Sequence, residues 1–211
     1  MTTRRSAQPA IRSRRPRRGT EVRRRKLADV ASRLIFERGF DSISVNDLAE
    51  LVGMSVGGMY RYIKTKADLL VMACEGIYGD LRERIVAVAA RQPTAAEKLR
   101  AAMALYFEAC IENRNLILLT YREYRHLPAD AQRRYQSREE SIAAVFAELI
   151  ESGIRQGLFD RVNAAIIARD IIMLGHMPAL KGWSLRRHAG RGRVSAEHID
   201  LVLGRLLTSL R

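Results

Sequence analysis

The stretch from Phe40 to Leu70, FDSISVNDLAELVGMSVGGMYRYIKTKADLL, admits few structures other than two short helices joined by a tight turn. Ser44 precedes a helical run and Asp47 stands three residues on, the spacing at which a hydroxyl and a carboxylate cap a helix start reciprocally. Leu48, Leu51 and Val52 then give that helix an apolar face at i, i+3, i+4. Gly53 falls where the chain must leave the helix, a place that often needs positive φ. Ser55 reads as the next cap, with Met59, Tyr60 and Ile63 on the buried side of a second short helix. Ala49 is small where two helices would cross closely, and Met59 can plug the angle between them. These are the spacings of a helix-turn-helix.

A competing pattern overlaps it. Gly53-Met54-Ser55-Val56-Gly57 matches the G-x-S-x-G of a hydrolase nucleophile elbow, which needs a β-strand immediately before it. What precedes is NDLAELV, a capped helical run with few β-branched residues, so the elbow is rejected. No convergent acid, base and nucleophile set appears in the rest of the chain, and no enzymatic activity is expected.

The formal net charge of +14 is unevenly spread: residues 1–26 hold eleven Arg or Lys against one Glu, which is +10 of the total. A basic excess beside a helix-turn-helix points to DNA phosphates. An arm with so few apolar residues could approach anionic lipid but not insert into it, so no membrane partner is expected. Across 211 residues, 47% are hydrophobic, which excludes a disordered protein. No apolar run approaches the ~20 residues of a membrane span, and the N-terminus lacks the apolar core of a signal peptide, so a cytoplasmic location is expected. Cys74 and Cys110 form no C-x-x-C pair and read as free, reduced thiols. His126, His176, His188 and His198 have no ligand spacing, so neither a metal nor another cofactor is expected.

In chain order, residues 1–19 contain two prolines, seven arginines and no periodicity, and are expected to be a disordered basic arm. A helix from Thr20 to Gly39 carries Leu27, Val30, Ala31, Leu34 and Ile35 at helical spacing. After the helix-turn-helix, apolar spacing predicts a long helix from Lys66 to Arg91, and Thr94 with Glu97 opens a capped helix to Asn113. Further helices are predicted over 115–125, from Ala129 to about Gly157, and from Asn163 to Pro178. Residues 188–193 read as a loop, and Ser195 as the cap of a final helix. No segment alternates with period two. The predicted fold is all-α with about nine helices: a three-helix helix-turn-helix domain (20–66) joined to a larger helical bundle (67–211) for ligand binding and dimerisation.

Several fixed spacings resemble the tetracycline-repressor (TetR) family of bacterial regulators: Glu37-Arg38-Gly39-Phe40, Ser44-Val45-Asn46-Asp47-Leu48-Ala49, Gly53-Met54-Ser55, Gly57 to Ile63, and Lys66-Ala67-Asp68-Leu69-Leu70. Gly58 and Ile63 depart from the residues usual there. The resemblance implies a dimer of two-domain helical subunits that binds a palindromic DNA operator and takes a small-molecule inducer in its bundle. Tyr60, Tyr62 and Lys66 match phosphate-binding positions of the family. Leu119-Thr120-Tyr121-Arg122-Glu123, Leu127-Pro128 and the run from Gly175 to Arg186 are similar to the branch containing acyl-CoA-responsive repressors, apart from Pro178.

The candidate DNA-binding residues are therefore Ser44, Ser55, Val56, Gly57, Gly58, Tyr60, Arg61, Tyr62 and Lys66. Missing side chains at Gly57 and Gly58 would let backbone approach DNA, although each glycine costs about 1 kcal/mol relative to Ala in a helix. Tyr106, Tyr121 and Tyr124 either line a cavity or fill a core, and His176 is a core histidine or a ligand contact. Trp183 beside Lys181, Arg186 and Arg187 suits an adenine with phosphates, or is a solvated charge run. Ile199, Val202, Leu203, Leu206, Leu207 and Leu210 form a stripe expected to reach a homodimer partner. The expected function is a ligand-responsive repressor, its inducer an acyl-CoA or, for an efflux gene, a hydrophobic drug. An acyl-thioester enzyme or carrier and a constitutive architectural DNA binder are the rival classes.

Overall fold

The computed structural model describes residues 27, 30, 31, 33–35, 37–65, 68, 71, 72, 78–188 and 190–207. The basic arm, Lys66, Cys74 and Leu210 lie outside them. Those described between 27 and 38 are helical and bury Leu27, Ala31, Leu34 and Ile35. Gly39 ends this segment at φ 78, its N–H donating to the Ile35 carbonyl at 3.0 Å. Two short helices follow, α1 (Val45–Val52) and α2 (Val56–Met59). The Ser44 hydroxyl accepts from the Asp47 N–H at 3.2 Å while the Asp47 carboxylate accepts from the Ser44 N–H at 2.7 Å. Gly53 closes α1 in the left-handed region, φ 65 and ψ 36. Leu48, Ala49, Met59 and Ile63 are buried against the upstream helical residues.

The bundle contains α3 (Leu81–Ala90), α4 (Ala95–Glu112), α5 (Arg114–Glu123), α6 (Ala129–Arg155), α7 (Ala164–Leu185) and α8 (Arg191–Leu206). Thr94 and Glu97 cap α4 reciprocally, and the Asn163 side chain caps α7. The central helix is α4, which buries Leu99, Met103, Tyr106 and Phe107 and packs against α3, α6, α7 and α8. An isolated bridge between Phe159 and Leu207, with the Asp160 N–H donating to the Leu206 carbonyl at 2.8 Å, ties the end of α8 to the loop after α6. No strand occurs among the described residues, and the fold is all-α.

Four expectations need correction. The predicted helix 66–91 is interrupted by a turn at Gly79-Asp80, two poor helix formers in succession. Helix α7 runs past Pro178 to Leu185: the ring removes one donor and the backbone kinks, leaving Lys181 non-helical at φ −127 and ψ 18. Helix α8 starts at Arg191 with Gly190 as its N-cap, so Ser195 lies inside the helix rather than capping it. Leu51 is 54% exposed, because α1 is covered on only one side.

Helices α4 and α7 approach closely at Gly175, where a Cβ would lie 2.5 Å from Tyr106 Cε1 and 3.1 Å from Cys110 Sγ. Gly175→Ala would gain about 1 kcal/mol of helix propensity. Pushing the buried Tyr106 ring aside costs typically about 1–3 kcal/mol, and the overpacking wins. The variant is expected to unfold at a lower temperature; calorimetry showing an equal or higher Tm would mean that the ring yields freely.

Candidate nucleic-acid interface and ligand site

The Ser55 hydroxyl accepts from the Gly58 N–H at 3.1 Å and so starts α2. A Cβ on Gly58 would lie 3.0 Å from that hydroxyl, which gives the glycine a local reason: any larger residue crowds the cap. A Cβ on Gly57 would meet nothing within 4 Å. With α2 only one turn long, the chain bends after Met59 and turns Ile63 inward instead of Tyr60. Tyr60 is half-exposed and does not share the buried side expected of it. Val56, Gly57, Tyr60 and Arg61 thus form an exposed face, flanked by exposed Ser44 and Ser55 and half-buried Tyr62. The Asp68 carboxylate accepts from the N–H groups of Lys64 and Thr65 at 2.9 and 2.8 Å, a cap that anchors the far side of this unit.

In the bundle, His176 is fully buried. Tyr106 donates its hydroxyl to the Ile172 carbonyl at 3.3 Å, so its oxygen accepts from His176 Nε2–H at 3.1 Å. That tautomer leaves Nδ1 to accept from the Tyr121 hydroxyl at 3.0 Å. Tyr78 lies 3.4 Å from Nε2 and donates to Glu139 Oε2 at 3.1 Å; Tyr135 donates to the same oxygen at 3.2 Å. Burial drives His176 down to about 4 and raises the Glu139 carboxyl, the latter opposed by its two tyrosine donors. Burial also pushes the Cys110 thiol up to about 12, so it is an inert core group. Tyr78, Tyr135 and Glu139 escaped the sequence reading; their only local signal is the i, i+4 spacing of Tyr135 and Glu139 on α6.

Of the predicted ligand residues, Tyr106 is core, its ring edge-on to Phe146 with centroids 5.5 Å apart. Tyr121 is half-exposed, and Tyr124 accepts from Gln136 Nε2 at 2.6 Å. Lys181 Nζ stands 5.9 Å from the centroid of the Trp183 ring, which is 61% exposed. Arg186 and Arg187 are exposed, and Arg186 borders a cleft of about 280 Å³ with Ile111, Arg114, Pro178, Leu185 and Val194. Sequence reasoning missed Arg114. A larger groove of about 620 Å³ runs between α7 and α8, along Met173, Met177, Leu180 and Leu201. The predicted dimer stripe is divided: Ile199, Val202, Leu203 and Leu206 are buried in the chain's own core, whereas Leu207 is exposed. On α8 it is Leu201, 64% exposed, that faces outward. No cluster of three metal-ligating side chains occurs among the described residues, and no helix there is long and apolar enough to cross a membrane.

The electrostatics of His176 has a measurable sign. Its folded value lies below the ~6.5 of an unfolded histidine, so the unfolded chain binds a proton that the folded one refuses as pH falls. Stability from this group is complete above about 6.5 and is lost toward about 4, amounting to about 2 kcal/mol between pH ~7 and ~5. Glu139 acts in the opposite sense above its own unfolded value, so the comparison must be with His176→Gln. The acid-side loss should be about 2 kcal/mol smaller in that variant by denaturant unfolding; parallel pH profiles would contradict a buried neutral imidazole.

The sequence matches the domain described as "Tetracyclin repressor-like, C-terminal domain" over residues 92–206 and "Bacterial regulatory proteins, tetR family" over residues 27–73. It is 26% identical over 145 residues to the HTH-type transcriptional repressor KstR2 of Rhodococcus jostii, covering 67% of this chain and 70% of that one. It is 24% identical over 147 residues to the fatty acid metabolism regulator protein of Bacillus subtilis, covering 70% and 76%. Among solved structures it resembles a TetR/AcrR-family regulator from Thermobifida fusca, with TM-score 0.72, 21% identity and coverage of 86% and 97%. It also resembles AibR in complex with isovaleryl coenzyme A and operator DNA, with TM-score 0.65, 18% identity and coverage of 85% and 97%. With family matches over both the helix-turn-helix and more than half of the chain, this protein belongs to the TetR family of bacterial transcriptional regulators.

Proposed function

We propose that this regulator represses transcription as a homodimer on a palindromic operator and is released by an acyl-CoA bound in its helical bundle. The observation that carries the DNA half is the exposed face of Val56, Gly57, Tyr60 and Arg61 on a capped one-turn helix. Its side chains can leave solvent for a groove without disturbing the core beneath Met59 and Ile63. Lys66 and the arginine arm, outside the described residues, add phosphate contacts on this reading. The division at about residue 66 separates reading head from ligand-binding bundle.

Dimerisation is assigned to the outer face of α7 and α8, where Met173, Trp183 and Leu201 are exposed and the 620 Å³ groove lies. Helix α5 provides the link between ligand and head. Tyr121 bonds His176 in the core and also borders a cleft of about 600 Å³ whose other wall is Ile35, Gly39 and Phe40. A ligand that moves α5 would move the reading head away from the groove spacing that its partner also needs. The acyl-CoA class is supported by the similarity to AibR and to the fatty acid metabolism regulator, joined to the cations around Trp183.

Arg61→Ala and Tyr60→Phe should each weaken operator binding without unfolding the protein, since both side chains are exposed. Unchanged affinity in both would remove α2 from DNA recognition. Leu201→Asp should yield a folded monomer with poor affinity for the full palindrome; sedimentation of an intact dimer would place the interface elsewhere. Octanoyl-CoA should release the operator far better than octanoate, and at least tenfold less well from the double variant Arg186→Ala, Arg187→Ala, roughly 1.4 kcal/mol. Equal release by octanoate or by cationic dyes would instead indicate a drug-type pocket of an efflux regulator.

A further inference from the structure

We propose that the cleft at the kink in α7 is an anion site, in which Arg114 and Arg186 hold the phosphate of an amphiphile whose apolar part lies on Ile111, Leu185 and Val194. The inference rests on reading the bundle as ligand-binding, but not on the ligand being the inducer. Pro178 takes one donor from the hydrogen-bond ladder of α7 and Lys181 leaves helical geometry, and the cleft lies at this kink. Gly182 adds no side chain at the bend. The Arg186 guanidinium occupies part of the space thus left, its Nη1 being 3.7 Å from where a Cβ on Gly182 would sit. The side chain remains exposed while bordering the cleft.

Arg114 contributes the second charge. It is half-buried, and its one bond is a long 3.5 Å contact from Nη1 to the Ile111 carbonyl. Neither arginine has a carboxylate partner among the described residues. The half-buried Arg114 guanidinium keeps solvent-accessible donors beyond its one long bond, and an oxyanion in the cleft can engage them. The bland alternative is two solvated side chains. Their place on the rim of an otherwise apolar cleft argues against it, because open solvent offers no apolar wall for a ligand tail. The uncapped start of α8 at Gly190, on the same rim, adds a favourable field for negative charge. Size limits the occupant. At about 280 Å³ the cleft falls below the roughly 300–1,000 Å³ of sites that enclose a whole drug-sized ligand, so it takes one end of a molecule. Arg187 does not border it, which separates the two adjacent arginines that the sequence offered as a pair.

Octyl phosphate, below its micelle-forming concentration, is the probe, and the fluorescence of Trp183, the sole tryptophan and next to Gly182, is the readout. Octyl phosphate should bind the full-length protein, and Arg114→Ala and Arg186→Gln should each weaken it at least tenfold. Arg91→Ala, exposed and outside the cleft lining, should leave it unchanged, and octanol should bind no variant differently from another. Circular dichroism melts confirm that the variants remain folded. The proposal is overturned if Arg114→Ala binds octyl phosphate like the parent protein, or if octanol binds the parent as tightly. A parallel titration with octanoyl-CoA identifies the source of the phosphate: the same loss in Arg114→Ala places thioester phosphates in this cleft, and no loss assigns it to a separate anionic amphiphile. If octanoyl-CoA fails to release the operator while octyl phosphate still needs both arginines, the inducer reading fails and this site stands.

Discussion

A neutral imidazole in the middle of the bundle organises much of what surrounds it. His176 has no solvent and two ring nitrogens to satisfy, so α7 must present it where the Tyr106 hydroxyl of α4 and the Tyr121 hydroxyl of α5 converge. Leaving either nitrogen unmet would cost about 1–3 kcal/mol, comparable with the gain from burying a large apolar side chain. The absence of a side chain at Gly175 is part of the same arrangement, since it lets α7 come close enough for the bond to Tyr106 to form. One hydrogen-bonded ring thus sets the distance between the central helix and its neighbour, and fixes the rotation of α5 about its own axis.

That rotation bears on how the bundle and the N-terminal helices meet. Tyr121 is satisfied inward by His176 and exposed outward, where it stands across a cleft from Phe40 and Ile35. Disturbing the inward bond frees a side chain of α5 that lies between the two regions. A switch built this way needs no long-range strain, only competition for a hydroxyl.

Local chemistry was readable from sequence alone. Ser44 with Asp47 and Thr94 with Glu97 cap helices where their spacings said they would, because each needs only three or four residues of context. Gly53 and Gly39 adopt positive φ at the ends they mark. What failed depended on neighbours far along the chain. The stripe Ile199, Val202, Leu203 and Leu206 was evident, but nothing in its periodicity says whether α4 and α7 or a second chain will cover it. Ser195 has the chemistry of a cap, yet α8 begins four residues earlier, with Val194 already buried in its first turn. Tyr60 was placed inward by extending helical periodicity past Met59, where the helix has ended. The family membership was legible because its spacings are dense and local; the Tyr78, Tyr106, Tyr121, Tyr135, Glu139 and His176 network was not, because its members are spread over four helices and the helical residue before the Gly79-Asp80 turn.

Those separations have a consequence for the order of events during synthesis. Tyr106 and His176 are 70 residues apart, and Tyr78 and His176 are 98 apart. Until α7 has left the ribosome, α3 to α6 expose the apolar faces and tyrosine hydroxyls that it will later cover. At about 5–20 residues per second, the interval between completing α4 and completing α7 lasts several seconds. The helix-turn-helix, whose contacts span far fewer residues, closes its loops on a much shorter timescale. A nascent chain therefore carries an ordered reading head ahead of an unfinished bundle, and the most aggregation-prone moment falls just before α7 emerges.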